Sequence, residues 1–336
     1  MNFFASIYIL IIVPSIFFLV GAIKNLYKKA FSQILVVLVL PLYLLGTYRS
    51  SGIDVQNYRN IFEASSNDMF DPGYLALINI SKFSGFSFEI FLFSLGVLSS
   101  LFYFRISKYF SVRYGILLLI LMVHIFIVRD YSQLRIGLAV AIVLFSYTYS
   151  GKFKYIGYFF GASIHLTSVV LIGLVIYYEL ILKNRLTFFR LIFPLLIIFL
   201  AGYFINYLGM VDPRIELYLN WDRAGYGAKA TDFKQPLFIV FIIMFHIYFF
   251  RKSLYEIDLF TFTYLASLII FFSFSDFAIF SSRLSNVAMS LYPITIASMY
   301  ESTRPNFNKA FGILLFLLLV GLRNNSFEII NSIQIG

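Results

Sequence analysis

The sequence predicts an all-α, polytopic transmembrane protein with about 10–12 membrane segments and short outer-face loops, on three observations. Hydrophobic residues make up 60% of the 336-residue chain and charged residues 12%, the latter about half the share of an average soluble domain. Apolar runs of roughly 17–25 residues, the length a helix needs to span the hydrocarbon core, recur from Phe3 to Leu322 with no gap of soluble-domain size. The charged residues gather in short clusters between those runs. Residues 1–336 therefore read as a single integral-membrane domain, with its chemistry at helix ends and in loops.

The elements follow in order. The run Phe3 to Ile23 has no charged n-region and no small-residue cleavage site, so it reads as a retained helix and not a signal peptide. Lys24, Lys28 and Lys29 place the next turn in the cytoplasm by the positive-inside rule. A second span, Phe31 to Tyr48, returns outward to an outer loop over 49–85, in which Gly73 to Phe83 is too short to cross and reads as a surface or re-entrant helix. Further spans are predicted at Phe86–Phe104, Tyr114–Val128, Leu134–Tyr149, Leu186–Tyr207, Pro236–Phe250, Leu259–Phe274, Leu284–Tyr300 and Ala310–Leu322, with a larger outer loop over 209–235. The run Tyr155 to Leu182 is long for one crossing, and as one crossing it would put Lys183, Arg185 and Arg190 outside. A break near His165 keeps every lysine-rich turn on one side. Because non-helical backbone at membrane depth survives only inside protein or beside a wet cavity, such a break marks a cavity.

Composition excludes several chemistries. Without cysteine there is no disulfide scaffold, thiolate nucleophile or Cys-built metal site. His124, His165 and His246 are far apart and show no HExxH spacing, which argues against a zinc enzyme. The net charge of +10 is explained by basic residues beside membrane segments before nucleic acid is invoked. On this topology the basic residues also divide by type. Nine of twelve lysines fall on inner turns, whereas Arg49, Arg59, Arg129, Arg135, Arg214, Arg223, Arg283 and Arg323, eight of fourteen arginines, fall outside. Orientation is served equally by either residue, but the planar guanidinium fork suits phosphate and carboxylate. The competing reading is that these arginines pair with outer carboxylates.

Four constellations carry the remaining information. Arg49-Ser-Ser-Gly52-Ile-Asp54-Val-Gln-Asn57-Tyr58-Arg59 leaves the second span, with Asp54 and Tyr58 one helical turn apart; its plain alternative is a surface helix capped by Asp54. Arg129-Asp130-Tyr-Ser-Gln133-Leu-Arg135 gathers four polar groups at one helix entrance, ahead of a Gly137–Ala139 face able to pack closely on a neighbour. Ser163-Ile-His165-Leu-Thr167-Ser168 puts an ionisable group in an apolar stretch, where such groups are costly and functional by default; a satisfied structural histidine is the equal alternative, and is the reading for His124 and His246. Asp276-Phe-Ala-Ile-Phe-Ser281-Ser282-Arg283-Leu-Ser285 repeats the acid and arginine at another outer entrance.

In order and spacing these segments resemble the EpsG/Wzy family of polytopic polysaccharide (O-antigen type) polymerases, over about residues 45 to 300. The resemblance runs through Arg49 to Tyr58, Asp71-Pro-Gly-Tyr74, Gln133-Leu-Arg-Ile-Gly-Leu-Ala139, the His-x-x-Ser of His165 to Ser168, and Arg283-Leu-Ser285. It implies a glycosyltransferase-type enzyme in the bacterial inner membrane, with its active site facing the periplasm, that joins oligosaccharide repeat units carried on undecaprenyl diphosphate. Donor and acceptor would both be lipid-linked, a chain-length regulator could be a partner alongside membrane lipids, and no cofactor or metal would be needed. Arg49, Tyr58, Arg129, Gln133, Arg135 and Arg283 would bind the diphosphate and glycan, with Trp221 and Arg223 in an outer lid. Asp54, His165 and Asp130 are the acid–base candidates, because such a group must take the proton of the acceptor hydroxyl. An O-antigen ligase, a lipid-linked oligosaccharide flippase and a membrane O-acyltransferase are the rival readings.

Overall fold

The computed structural model describes residues 40, 55–64, 71–110, 134–183, 188–204, 216, 220, 234–250 and 258–295. Among them every regular element is helical. They fall into two compact units, one reaching to Leu166 and one spanning Thr167–Thr295. The expected spans Phe3–Ile23, Phe31–Tyr48, Tyr114–Val128 and Ala310–Leu322, and nearly all of the 209–235 loop, lie outside the described residues.

The first unit opens with two short helices, α1 (Val55–Glu63) and α2 (Pro72–Phe83). α1 buries Val55, Tyr58 and Phe62, a spacing of three and four that lays one face on a core. α2 starts on Pro72, whose missing N–H costs nothing at a first helical position. It stops at Gly85, whose φ of +71° is a conformation glycine adopts without Cβ strain. The N–H groups of Gly85 and Phe86 turn back onto the carbonyls of Lys82 and Ser81 at 2.9 and 3.0 Å, satisfying the helix end. Lys82 Nζ also donates to the Ala64 carbonyl at 3.0 Å, which ties the end of α1 to the end of α2. This is the short helix expected from Gly73 to Phe83.

α3 (Phe88–Phe110), 23 residues long, is long and apolar enough to cross a membrane; at 1.5 Å per residue it measures about 34 Å. It continues past the expected end at Phe104 because its charges are accommodated. Arg105 lies 5.1 Å over the Tyr149 ring and its Nε is 3.4 Å from Thr148 Oγ1, while Lys108 lies 4.4 Å over the Phe104 ring. α4 (Leu134–Tyr147) and α5 (Phe153–Ile164) pack on each other closely. Gly161 faces Val143 and the Ala139 carbonyl, and Gly157 faces Ser146, which is the small-residue contact that Gly137 and Ala139 led us to expect. α5 ends at Ile164 and His165 is extended, with φ −157° and ψ 120°. The next helix begins only at Ser168, so the interruption expected near His165 is present.

The second unit holds α6 (Ser168–Tyr177), continued by a π turn over Tyr178–Leu182, then α7 (Phe188–Tyr203), α8 (Lys234–Phe250), α9 (Leu259–Ser273) and α10 (Ala278–Ala288). α7, α8 and α9 match the expected spans to within four residues. α10 starts six residues before the expected Leu284. Its polar first half is tolerated because the hydroxyls find carbonyls: Ser281 Oγ donates to Phe271 at 2.8 Å and Ser267 Oγ to Ser285 at 2.9 Å. Phe262, Ala266, Ile270, Leu284 and Ala288 fill the core beneath. Outside, α7 leaves Phe189, Phe193, Leu196, Ile197 and Leu200 exposed. A run of that size is unusual on a water-facing surface and suits a surface solvated by lipid.

One close approach positions the site described next. α2 packs on α5, and a Cβ built on Gly73 would lie 2.8 Å from the backbone carbon of Ser163. Gly73→Ala should therefore lower stability by about 1–3 kcal/mol through overpacking, read as a lower thermal midpoint of the detergent-solubilised protein. Ser163→Gly in the same chain should restore part of the loss, whereas an unchanged midpoint for Gly73→Ala alone would mean that the contact is not tight.

Candidate functional site

The last turn of α5 and the first turn of α2 bring Asp71 against the break after Ile164. Asp71 occupies the cap position of α2 in extended backbone, yet its side chain makes no capping hydrogen bond to its own helix. The carboxylate turns to the rest of the unit instead. Oδ1 accepts from the Leu166 N–H at 3.3 Å, a donor exposed by the interruption. Oδ2 lies 3.4 Å from Arg135 Nη1 and 3.3 Å from His165 Nδ1. Asp71 is 4% and His165 5% exposed, so the cluster is nearly dry. Burying a carboxylate is expensive unless it is paired and hydrogen-bonded, and the Leu166 N–H, Arg135 and His165 contribute to that compensation.

An aromatic layer supports the cluster. The Arg135 guanidinium lies 5.8 Å over the Tyr74 ring, and Tyr74 meets Tyr58 edge-on at 6.2 Å and Phe91 at 6.1 Å. Tyr74 is fully buried. Burial pushes its phenol well above the usual range, with Tyr58 adding to the rise and Arg135 opposing it. The hydroxyl therefore stays protonated, and its oxygen is buried without a hydrogen-bond partner. At the rim, Arg59 pairs with Glu89 at 2.6 Å and lies 4.8 Å over the Phe88 ring.

Three of the residues expected at the site are thus placed in one unit: Arg135 and His165 share a carboxylate, and Tyr58 packs behind them. Arg283 is not at a helix entrance as expected. It is the sixth residue of α10, in the second unit, because that helix begins at Ala278. Arg49, Asp54, Arg129, Asp130, Gln133, Trp221 and Arg223 lie outside the described residues. The sequence reading passed over Asp71 and Tyr74 as site residues although both stand in the Asp-Pro-Gly-Tyr segment. The available signal was an acid before a helix-starting proline with a glycine behind it, which permits a close neighbour.

His246, read as structural from its apolar surroundings, has company as well. Its Nε2 lies 2.9 Å from Asp258 Oδ2, and Asp258 Oδ1 accepts the Thr261 N–H at 2.9 Å to cap α9. Its acid comes from across the α8–α9 connection, twelve residues on, which is why adjacent sequence did not reveal it. The pair joins two helices and engages a capping carboxylate, which fits a structural part. Among the described residues no group of three or more His, Cys, Asp or Glu side chains forms a metal-binding set.

The chemistry available at Asp71 is that of a base and a cation held by one acid. An imidazole oriented through Nδ1 presents Nε2 as its basic atom, and the guanidinium beside it suits a multiply charged oxyanion. The chain is 25% identical over 301 residues to the amylovoran biosynthesis protein AmsC of Erwinia amylovora, covering 80% of this chain and 79% of that one. No solved structure gives a significant match. The sequence profile of the EpsG family matches residues 33–329, nearly the whole chain and every residue of the Asp71–Arg135–His165 cluster, and the protein belongs to that family.

Proposed function

We propose that this protein is a polysaccharide polymerase that joins lipid-linked oligosaccharide repeat units by glycosyl transfer, and that the Asp71–Arg135–His165 cluster is its reacting centre. The observation that carries the reading is a buried histidine and an arginine sharing one carboxylate at a helix break. In the reaction, the acceptor hydroxyl oxygen bonds to the anomeric carbon of the donor glycan. The bond from that carbon to the lipid diphosphate breaks, and the electron pair leaves with the diphosphate. Arg135 offsets the charge that develops there, the kind of preorganised stabilisation that outweighs most other catalytic effects. His165 takes the acceptor proton. Neutralising the leaving group with arginine asks for no metal, and a donor already activated as a diphosphate asks for no nucleotide.

The finer reading is an enzyme of the bacterial inner membrane, crossing it many times as one membrane domain, with its site at the periplasmic face. Its carrier is undecaprenyl diphosphate, its product a surface polysaccharide such as O-antigen, and a chain-length regulator its neighbour in the membrane. Arg49 and Asp54 just before α1, and Arg129, Asp130 and Gln133 just before α4, extend the anionic-ligand site in this reading; Trp221, Arg223 and Arg283 are candidates for glycan and phosphate contact within the second unit.

Topology supplies a direct check, since this naturally Cys-free chain can carry single cysteines. Ser84, beside the exposed turn ending α2, should be labelled by a membrane-impermeant thiol reagent applied outside. Lys152, in the exposed turn between α4 and α5, should be labelled only after permeabilisation; the opposite pattern would remove the periplasmic site.

Function is read from the surface glycan. Where the product is O-antigen, a deletion strain should carry a single repeat unit on the lipid A core, whereas loss of a ligase leaves no surface glycan and loss of an acyltransferase leaves full-length chains. Complementation with Arg135→Lys, which keeps the charge but loses the guanidinium fork, and with His165→Gln should leave that short phenotype at normal membrane expression. With purified protein, His165→Gln should lower the rate about 10²–10⁴-fold. A full chain-length ladder from both variants would reject the site, and a loss confined to Asp54→Asn would transfer the base to Asp54.

A further inference from the structure

Asp71 holds two groups that the polymerase reaction needs at different moments. The same oxygen, Oδ2, faces Arg135 Nη1 at 3.4 Å and His165 Nδ1 at 3.3 Å, while Oδ1 is occupied by the Leu166 N–H. A strong guanidinium–carboxylate bond is about 2.7–2.9 Å long, and both contacts of Oδ2 are longer than that. The two partners share one carboxylate, so a change in the charge on either is felt by the other. A diphosphate bears more charge than a carboxylate and is the better partner for Arg135. Once it binds, Oδ2 is left to the imidazole, and a carboxylate at Nδ1 both fixes the tautomer and stabilises the imidazolium that proton abstraction creates, as in other Asp–His pairs.

We propose that Asp71 is the positioning residue that couples donor binding at Arg135 to base activation at His165. It touches neither reacting atom. The consequence is an order of events: His165 becomes an effective base only when a lipid diphosphate is seated, so acceptor hydroxyls or water are not activated at an empty site. The Asp-Pro-Gly-Tyr segment is built for this geometry. Asp71 leaves α2 without a side-chain cap, Gly73 admits Ser163 of α5, and the Arg135 guanidinium lies over the Tyr74 ring.

The proposal rests on the polymerase reading, and the test separates the two. Wild-type protein, Asp71→Asn, His165→Gln and the Asp71→Asn/His165→Gln double variant are purified as equal amounts of folded protein and assayed on synthetic lipid-diphosphate-linked repeat units. Asp71→Asn should lower kcat at least about 10²-fold, near the effect of losing the base, while KM for the donor stays the same or falls because Arg135 has lost its competitor. The double variant should be no slower than His165→Gln alone, the non-additivity of residues acting as a unit. A raised KM with unchanged kcat, or additive losses, would overturn the coupling and leave the polymerase reading standing. An inactive wild-type protein would overturn the reading itself and the coupling with it.

A second measurement needs no Asp71 variant. In wild-type protein with isotope-labelled histidine, inorganic diphosphate should shift the ring signal of His165, identified by its absence from His165→Gln, and Arg135→Ala should abolish that shift. Binding of diphosphate with no change at His165 would also overturn the coupling.

Discussion

The first unit is organised around the need to compensate one buried carboxylate. Asp71 is nearly inaccessible to solvent, and an ionised acid in such a place persists only with partners of the right kind. Each partner comes from a different element: the guanidinium from the first turn of α4, the imidazole and the Leu166 N–H from the interruption after α5, and the carboxylate from the start of α2. The interruption is thus part of the compensation. Had α5 continued, the Leu166 N–H would have been spent inside its own helix and the Asp71 carboxylate would have lost a donor.

In the second unit the described acid Asp258 is compensated differently. Asp258 is consumed by capping α9 and by His246, and Tyr264 Oη and Thr295 Oγ1 lie 2.5 Å apart. Ser267 of α9 donates to the Ser285 carbonyl and Ser281 of α10 to the Phe271 carbonyl. In an apolar surrounding each of these bonds helps to fix helix against helix, at a typical strength near 0.6 kcal/mol per polar contact, or about 1–2 kcal/mol in model peptides. Asp71 differs because one of its oxygens faces both a guanidinium and an imidazole, at 3.4 and 3.3 Å.

Much of this was legible in the sequence, and the rest was hidden for physical reasons. The break at His165 could be read because an ionisable residue flanked by hydroxyls interrupts an apolar run, and because the lysine distribution disfavoured an unbroken crossing. Arg135 and Tyr58 stood out through residue type at a helix start. Asp71 did not, because its distinguishing property is a carboxylate turned away from its own helix. That depends on Arg135 and His165, which lie 64 and 94 residues along the chain from it. The α10 start was misplaced for a related reason: hydropathy counts Ser281 and Ser285 as polar, whereas Ser281 Oγ donates to the Phe271 carbonyl and Ser285 Oγ meets the Ser267 hydroxyl across the helix pair. The pairing of His246 with Asp258 was missed because proximity in sequence was used where proximity in space decides.

The two ends of the α4–α5 hairpin differ in kind, and that difference links fold to chemistry. At one end, Arg135 and His165 face an acid and a layer of buried aromatic rings. At the other, about 20 Å away along the 14 residues of α4, Arg105 and Lys108 lie over Tyr149 and Phe104, with Lys154 near Tyr155. Long basic side chains beside aromatic rings suit a helix end at a membrane interface, and Arg105 is stacked there on a ring. In the proposed reaction a flexible ammonium would not serve at the Asp71 end, because the cation lies over Tyr74 and a planar fork suits both a carboxylate and a diphosphate. Geometry as well as charge therefore decides which basic residue stands at each end of the hairpin.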